Sequence, residues 1–442
     1  MIYAEPGHLK DRLNIHWFRR DLRLDDNRAL DEGLRQSGSV LGLFIFDDQI
    51  LKNLSADDSR VSFIYDSLKE MDRELKERGS SLLIARGSVE EVWRELMSRL
   101  SIAAVYANED YEPYALSRDR EIKNLLSGEG IEFNLYQDHV IFAPGQILKA
   151  DGRPYTVYTP FARRWREGLE KNDFRLKALE SGRMWSRFIK VNIPFPEREE
   201  LGFLPGMMKV RGVNWAGIGD YHENRDFPSR DGGTNLGPQL RFGTVSVRKA
   251  AAVARERNTV LLGELIWREF FIHILYYFPW TAKENFKSAY NVLPWREDEG
   301  DFQLWKEGRT GYSLVDAGMR ELNESGRMHN RVRMLTASFL SKHLLLDWRL
   351  GEAYFAEKLL DYEMASNVGN WQWAAGSGCD AQPWFRIFNP QTQQLKFDKA
   401  YDYVKRWVPE YGTKDYPRPM IGHSEARERA LEVFRTALKS GE

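Results

Sequence analysis

The sequence predicts two architectures in one chain. The first is an α/β N-terminal domain on a doubly wound, five-stranded parallel sheet of Rossmann-like winding, and the second is an all-α C-terminal domain. Three observations lead there. Short apolar runs alternate with amphipathic stretches up to about Asp138, and strands separated by helices imply a parallel sheet. A stretch rich in Pro and Gly then breaks that order. Beyond Trp215 the strand pattern is gone, and nine of the 14 tryptophans fall between Trp267 and Trp407. At 442 residues the chain also exceeds one ordinary core.

Taken in order, NIHWFR (14–19), VLGLFIF (40–46), SLLIA (81–85), IAAVYA (102–107) and IEFNLY (131–136) read as the five strands. Between the second and third, RVSFIYDSLKEMDRELKERG has helical periodicity and stops at Gly79. Ser88 followed by Glu91 predicts a capping box for the next helix. Sheets of this winding bind ring ligands beyond the carboxyl ends of their strands. No GxGxxG is present, so dinucleotide binding of the Rossmann kind is not supported. These patterns divide the chain into an α/β domain over 1–138, a connector over 139–212 and a helical domain over 213–442. Inside the connector, YTPFARRW (158–165) is a short helical element among Pro144, Pro154, Pro160, Pro194, Pro196 and Pro205.

Composition removes several function classes. Cys379 is the sole cysteine, which excludes intramolecular disulfides and CxxC chemistry. The eight histidines show no metal-ligand spacing, so no metal is expected. No apolar run approaches a bilayer's thickness and the N-terminus has no signal layout, so the expectation is a cytoplasmic protein with no membrane partner. The net charge of −1 gives no global attraction to nucleic acid. Any such affinity would come from local clusters. One is Arg327, Arg331, Arg333, Lys342 and Arg349; the other is Arg225, Arg230, Arg241, Arg248 and Lys249.

The chemistry concentrates in the second half. The segment from Asp361 to Asp398 packs Asn367, Trp371, Trp373, Trp384, Arg386 and Asn389 into one stretch. Aromatics interleaved with amides and Arg suit a pocket for a flat ligand with polar edges. Glu264, Trp267 and Arg268 stand at i, i+3 and i+4, hence on one helical face, and so do Asn330, Arg333 and Met334. DGGTNLGPQLRFG (231–243) is a Gly-rich turn whose N–H groups and Thr234 hydroxyl could cradle phosphates.

The Asp361–Asp398 segment resembles the flavin-domain signature of the photolyase/cryptochrome family. HWFRRDLRLDDNRAL (16–30), GELIWREFFIHI (263–274), GYSLVDAGMRELNESGRMHNRVRMLTASFLSKHLLLDW (311–348) and YPRPMIGHSEARERAL (416–431) resemble its other blocks in order. The resemblance spans nearly the whole chain and is greatest to class I cyclobutane pyrimidine dimer photolyases. It makes the helical domain a catalytic FAD-binding domain, active with fully reduced FAD (FADH−), and the α/β domain a site for an antenna chromophore. The implied reaction is light-driven repair of cyclobutane dimers in DNA by electron transfer.

Roles follow the resemblance position by position. Trp267 would stack on a lesion base, Glu264 would hydrogen-bond the lesion, and Arg268 would help hold the flavin. Asn330, Met334 and Trp384 would complete the catalytic set, with Asn330 and Glu264 also reaching the cofactor. Tyr221, Gly233, Thr234, Asn235, Leu236, Gly237, Arg333, Asp361, Glu363 and Asn367 would bind FAD, Asn367 lying beside flavin N5. Gly237 and Glu363 depart from the family's usual Ser and Asp, and Arg327 from its aromatic. Trp371, Trp348 and Trp295 match the electron-relay positions, while Arg225, Arg331, Arg386 and Trp267 would meet DNA.

Two readings on the same fold stay open beside it, a blue-light signalling cryptochrome and a (6–4) photolyase. Asn330 after His329, where (6–4) members resemble His-His, and Asn367, where plant-type cryptochromes carry Asp, favour dimer repair. A light-independent flavin electron-transfer protein is a third. Tyr114 and Ala115 replace the Asn-Glu of folate-binding members, so a deazaflavin, FMN, a second FAD or no antenna at all is favoured over methenyltetrahydrofolate. A monomer acting on DNA that contains pyrimidine dimers is expected.

Overall fold

The computed structural model describes residues 2, 12–36, 38–171 and 181–440. They form two compact units whose segments interleave. The first takes 1–143, 168–212 and 235–253, and the second takes 144–167, 213–234 and 254–442.

The first unit holds the expected sheet. Strands β1 (Leu13–Phe18), β2 (Val40–Asp47), β3 (Leu82–Gly87), β4 (Ile102–Asn108) and β5 (Glu132–Tyr136) are all parallel, in the order β3-β2-β1-β4-β5. Alternate residues feed two cores. Ile15, Trp17, Leu41 and Leu43 bury on one face with Trp93 and Leu96, and Phe18, Val40, Phe44 and Phe46 bury on the other with Leu68 and Leu75. Burial on both faces is why these strands read as unbroken apolar runs.

The winding runs both ways from β1, and the carboxyl ends there are filled by a polar network. Asn108 Nδ2, at the end of β4, donates to Asp21 at 2.6 Å and to Asn27 Oδ1 at 2.7 Å. Asn27 in turn caps the Arg28–Arg35 helix through Leu30 N–H. Ser88 does occupy the N-cap of the Val89–Arg99 helix, but its hydroxyl makes no cap bond, so the capping box is not formed. Glu90 and Glu91 still complement the helix dipole in that first turn.

The expected connector 139–212 is not a body of its own. Ile189 N–H donates to Val40 O at 3.0 Å and Val191 N–H to Gly79 O at 3.2 Å, which ties this part to the first unit. Trp165 Nε1 donates to Glu269 at 2.6 Å inside the second unit. The 235–253 segment returns to the first unit through Arg248, whose guanidinium bonds Asp26 at 2.8 Å and Asp138 at 2.7 Å.

Among its described residues the second unit is built from helices joined by turns and loops, with two isolated bridges, Leu148 to Pro154 and Arg296 to Leu346. Asn258 caps the Thr259–Tyr277 helix through Leu261 N–H at 3.2 Å. The Met364–Ala375 helix stops at Gly376, whose φ of 95° lies in the left-handed region that glycine enters without strain. Gly351 lets Trp371 lie directly on the Trp348–Lys358 helix, because a Cβ there would overlap the indole. The core gathers Trp305, Phe339, Trp348, Phe355 and Trp371. No helix among the described residues is long and apolar enough to cross a membrane. Among them, too, no three His, Cys, Asp or Glu side chains converge as a metal site would require.

Candidate functional site

The Thr259–Tyr277 helix presents Glu264, Trp267 and Arg268 as their spacing predicts, all half-buried. Glu264 accepts from Arg225 Nη1 at 2.6 Å. Tyr221 is pushed up to about 12, first by burial and then by the Glu264 charge, so its hydroxyl stays protonated. Trp267 lies face to face with Tyr158, ring centroids 3.6 Å apart and planes 5° apart. Arg268 Nη2 donates to Glu363 at 2.8 Å. Glu363 sits at the N-cap of the Met364–Ala375 helix, and its other oxygen accepts from Ser366 Oγ at 3.0 Å. The longer carboxylate therefore still reaches an arginine.

Arg333 and Asp361 form a second guanidinium–carboxylate pair. Arg333 Nη2 donates to both oxygens of Asp361, at 3.1 and 3.0 Å, while its Nε holds Met328 O. Asn330 opens the same helix with an exposed side chain, and Met334 is half-buried. His329 caps this helix, its Nδ1 accepting from Arg331 N–H at 3.2 Å. Burial and the neighbouring Arg331 push His329 down to about 4, so the ring is neutral and works as a cap.

Asn367 is buried, and its Nδ2 donates to Glu352 twice, at 3.1 Å to the carbonyl and 2.9 Å to the carboxylate. Its Oδ1 accepts from no side chain or N–H among the described residues. Two guanidinium–carboxylate pairs, an oriented buried amide and an exposed amide fit the polar edge of a flat tricycle. Glu352, Tyr158 and Asp226, which pairs Arg331 at 2.5 Å, were not legible as site residues. Each matters through a partner distant in sequence, and no spacing rule links such pairs.

Of the relay positions, Trp371 and Trp348 are fully buried and Trp295 is half-buried. All three touch the same core cluster. Trp348 Nε1 donates to Asn285 Oδ1 at 2.9 Å, whereas Trp371 Nε1 has no hydrogen-bond partner among the described residues.

Other residues go elsewhere. Trp384 stacks on Phe434, planes 11° apart, in the cluster of Tyr290, Leu293 and Leu345, and has no ring contact with Trp267 among the described residues. Asn389 caps the Pro390–Phe397 helix. The two basic clusters are not faces. Lys342 is fully buried in the π-helical turn Phe339–His343, donating to Arg386 O at 2.9 Å, and burial lowers its pKa to about 7. Arg248 is a buried ion pair and Arg241 bonds Glu112 at 2.7 Å, because these side chains neutralise carboxylates that burial would leave costly. Arg386 is exposed beside the exposed Phe385.

The Gly-rich turn is divided. Gly233 and Thr234 close a second-unit segment, where Thr234 O accepts from Asn214 N–H at 3.0 Å. Asn235, Leu236 and Gly237 begin the first unit's last segment. Asn235 has φ 56° and heads the Leu236–Phe242 helix without a side-chain cap bond. In the first unit Tyr114 Oη donates to Asp47 Oδ2 at 2.5 Å, at the carboxyl end of β2.

Comparison with known proteins finds photolyases and, among the solved structures, a cryptochrome from Synechocystis at a TM-score of 0.82 and 26% identity, over 96% of this chain and 99% of that one. The model of the FAD binding domain of DNA photolyase matches residues 261–413, and the DNA photolyase model matches 14–180. The deoxyribodipyrimidine photo-lyase of Halobacterium salinarum is 35% identical over 96% of this chain and 99% of its own length. A class III photolyase from Agrobacterium tumefaciens superposes with a TM-score of 0.86 at 34% identity, over 98% of this chain and 99% of that one. An archaeal photolyase from Sulfolobus tokodaii, described with two FAD molecules, gives 0.79 at 33% identity, over 96% and 99%.

Proposed function

Because the chain belongs to the DNA photolyase family, and its full-length relatives are named deoxyribodipyrimidine photo-lyase, we propose that it splits cyclobutane pyrimidine dimers with light, through electron transfer from fully reduced FAD. The observation that carries the reading is the Arg268–Glu363 pair at 2.8 Å. It ties the helix bearing Glu264 and Trp267 to the start of the helix bearing Asn367 and Trp371, so the lesion-side and flavin-side residues share one frame.

When bound, FAD supplies a light-driven electron and takes it back, so two carbon–carbon bonds of the cyclobutane ring break with no net oxidation. The chain's own residues do the rest. A lesion must leave the base stack to reach a buried site, as it does for enzymes acting on bases, photolyases included. Trp267 offers it a ring to stack on. Glu264, steadied by Arg225, accepts a hydrogen bond from an N–H of the lesion, and the Arg225 guanidinium beside it offsets the negative charge that appears there. Asn367, oriented by Glu352, turns its carbonyl oxygen to the flavin edge. Arg225, Arg331 and Arg386 meet phosphates, which position DNA without reading sequence. Trp371, Trp348 and Trp295 carry electrons inward to reduce the resting cofactor. On this reading the protein acts as a monomer in the cytoplasm.

A second, light-collecting chromophore, where the first unit holds one, is on this reading a deazaflavin, FMN or FAD. Tyr114, whose hydroxyl is committed to Asp47, supports that choice over a folate.

The test is a repair assay. The reduced protein is mixed with UV-irradiated oligo-thymidylate and illuminated with blue light while thymine absorbance is followed against a dark control. Recovery in light alone is expected. A bound, photoreducible flavin with no recovery would point instead to a cryptochrome or to (6–4) specificity.

A further inference from the structure

We infer that Tyr158 is a positioning residue for lesion recognition: it clamps the Trp267 indole in the orientation that receives a flipped base, and so sets discrimination between damaged and undamaged DNA. The inference rests on the reading above, that Trp267 stacks on the lesion.

The geometry is unusual for two rings brought together by packing alone. Aromatic pairs prefer offset or edge-on arrangements with centroids about 4.5–7 Å apart, because face-to-face overlap opposes like quadrupoles. Tyr158 and Trp267 instead overlap at 3.6 Å, 5° from parallel. Such an arrangement persists when both rings are held from outside. Tyr158 is held at two points. Its hydroxyl donates to Gly263 O at 2.9 Å, one helical turn before Trp267, and its backbone N–H donates to Asp380 at 3.0 Å. Phe270 meets both rings edge-on, at 5.9 and 5.7 Å. Burial pushes the hydroxyl up to about 12, so it remains a donor at any working pH.

Trp267 is nevertheless half-buried, and Phe271, at 5.5 Å and 30°, overlaps it less fully. What Tyr158 leaves uncovered is the ring surface a base can reach. A free indole would lose rotamer freedom on binding; a clamped one has lost it already, and the difference appears in affinity. Tyr158 touches no reacting atom. Its effect runs through Trp267, which distinguishes it from a contact residue and makes it testable by a double-mutant cycle.

Dark binding of UV-irradiated and undamaged oligonucleotides is measured by fluorescence anisotropy for the wild type, Tyr158→Phe, Tyr158→Leu, Trp267→Ala and the Leu/Ala double variant, all FAD-loaded. Tyr158→Leu should weaken binding of irradiated DNA by about tenfold, leave undamaged DNA and flavin photoreduction unchanged, and add nothing in the Trp267→Ala background. Tyr158→Phe, which keeps the ring but loses its hydroxyl's hold on Gly263 O, should lose clearly less than Tyr158→Leu, about two- to threefold. Wild-type affinity in Tyr158→Leu, or an equal loss in the Trp267→Ala background, overturns the inference. A loss in Tyr158→Phe as large as in Tyr158→Leu overturns it as well, since the hydroxyl and not the stack would then matter. If Tyr158→Leu does not fold, Tyr158→Met is read by the same criteria. A wild type that binds both DNAs alike would sink the photolyase reading itself, an outcome distinct from all of these.

Discussion

The side-chain amide of Asn367 donates both to the backbone carbonyl and to the carboxylate of Glu352, at 3.1 and 2.9 Å. One residue thus fixes the orientation of the amide. Burial raises the pKa of Glu352, and the Asn367 hydrogen bond opposes that rise. The pair is neutral or carries one charge, never two.

Asn367→Asp changes that. A second carboxylate beside Glu352 makes ionisation of both unfavourable, and an added negative charge disfavours a reduced flavin. The reduction potential of bound FAD should fall, and light-dependent repair should slow by roughly tenfold or more. A potentiometric titration with an unchanged midpoint would show that the amide does not lie at the flavin.

Glu264→Ala should lower the repair yield by about tenfold to a hundredfold with FAD content intact, since Glu264 bonds Arg225. Flavin absorbance per protein and dimer repair per photon check the two halves. Loss of FAD would mean that the carboxylate serves the cofactor first.

Trp348→Phe and Trp371→Phe should each slow photoreduction of oxidised enzyme by at least about tenfold while leaving repair by chemically reduced enzyme near wild type. Trp348→Phe also leaves buried Asn285 Oδ1 without the indole donor, at about 1–2 kcal/mol of stability. Transient absorption read beside a urea titration separates these effects.

Lys342 predicts a pH dependence of stability. Its folded pKa of about 7 lies below the unfolded value of 10.5, with burial as the main cause. Between those values the unfolded chain binds more protons, so stability should rise with pH across the window. Lys342→Met should flatten that rise, which for a shift from 10.5 to about 7 amounts to at most about 5 kcal/mol. Urea midpoints at neutral and alkaline pH decide it; equal slopes in both proteins would remove Lys342 as the source.

Arg386→Gln should reduce the salt slope of DNA binding by about one phosphate contact. Arg331→Gln should reduce it less, because Asp226 already offsets that charge at 2.5 Å. A fluorescence titration across salt concentrations measures both slopes.

The sheet was legible because its signal is local: period, strand length and turn residues stand within a few positions of each other. The helical faces of Glu264–Arg268 and Asn330–Met334 were legible for the same reason. What escaped depends on pairs far apart in sequence. Nothing near Arg248 says that it neutralises Asp26, and nothing near Lys342 says that it is buried against a carbonyl of the 381–389 loop. Trp384 sits among site residues in sequence but packs on Phe434, fifty positions later. Local pattern places a residue on a face; it does not say what the face meets.

The interleaving of the two units limits how this chain can be cut or recombined. A fragment ending at residue 212 would keep all five strands and lose Arg248, leaving Asp26 and Asp138 without one of their buried cations. One crossover cannot therefore exchange the sheet for another and keep both parts whole. A chimaera would need several coordinated junctions, so these halves are constrained to change as a pair.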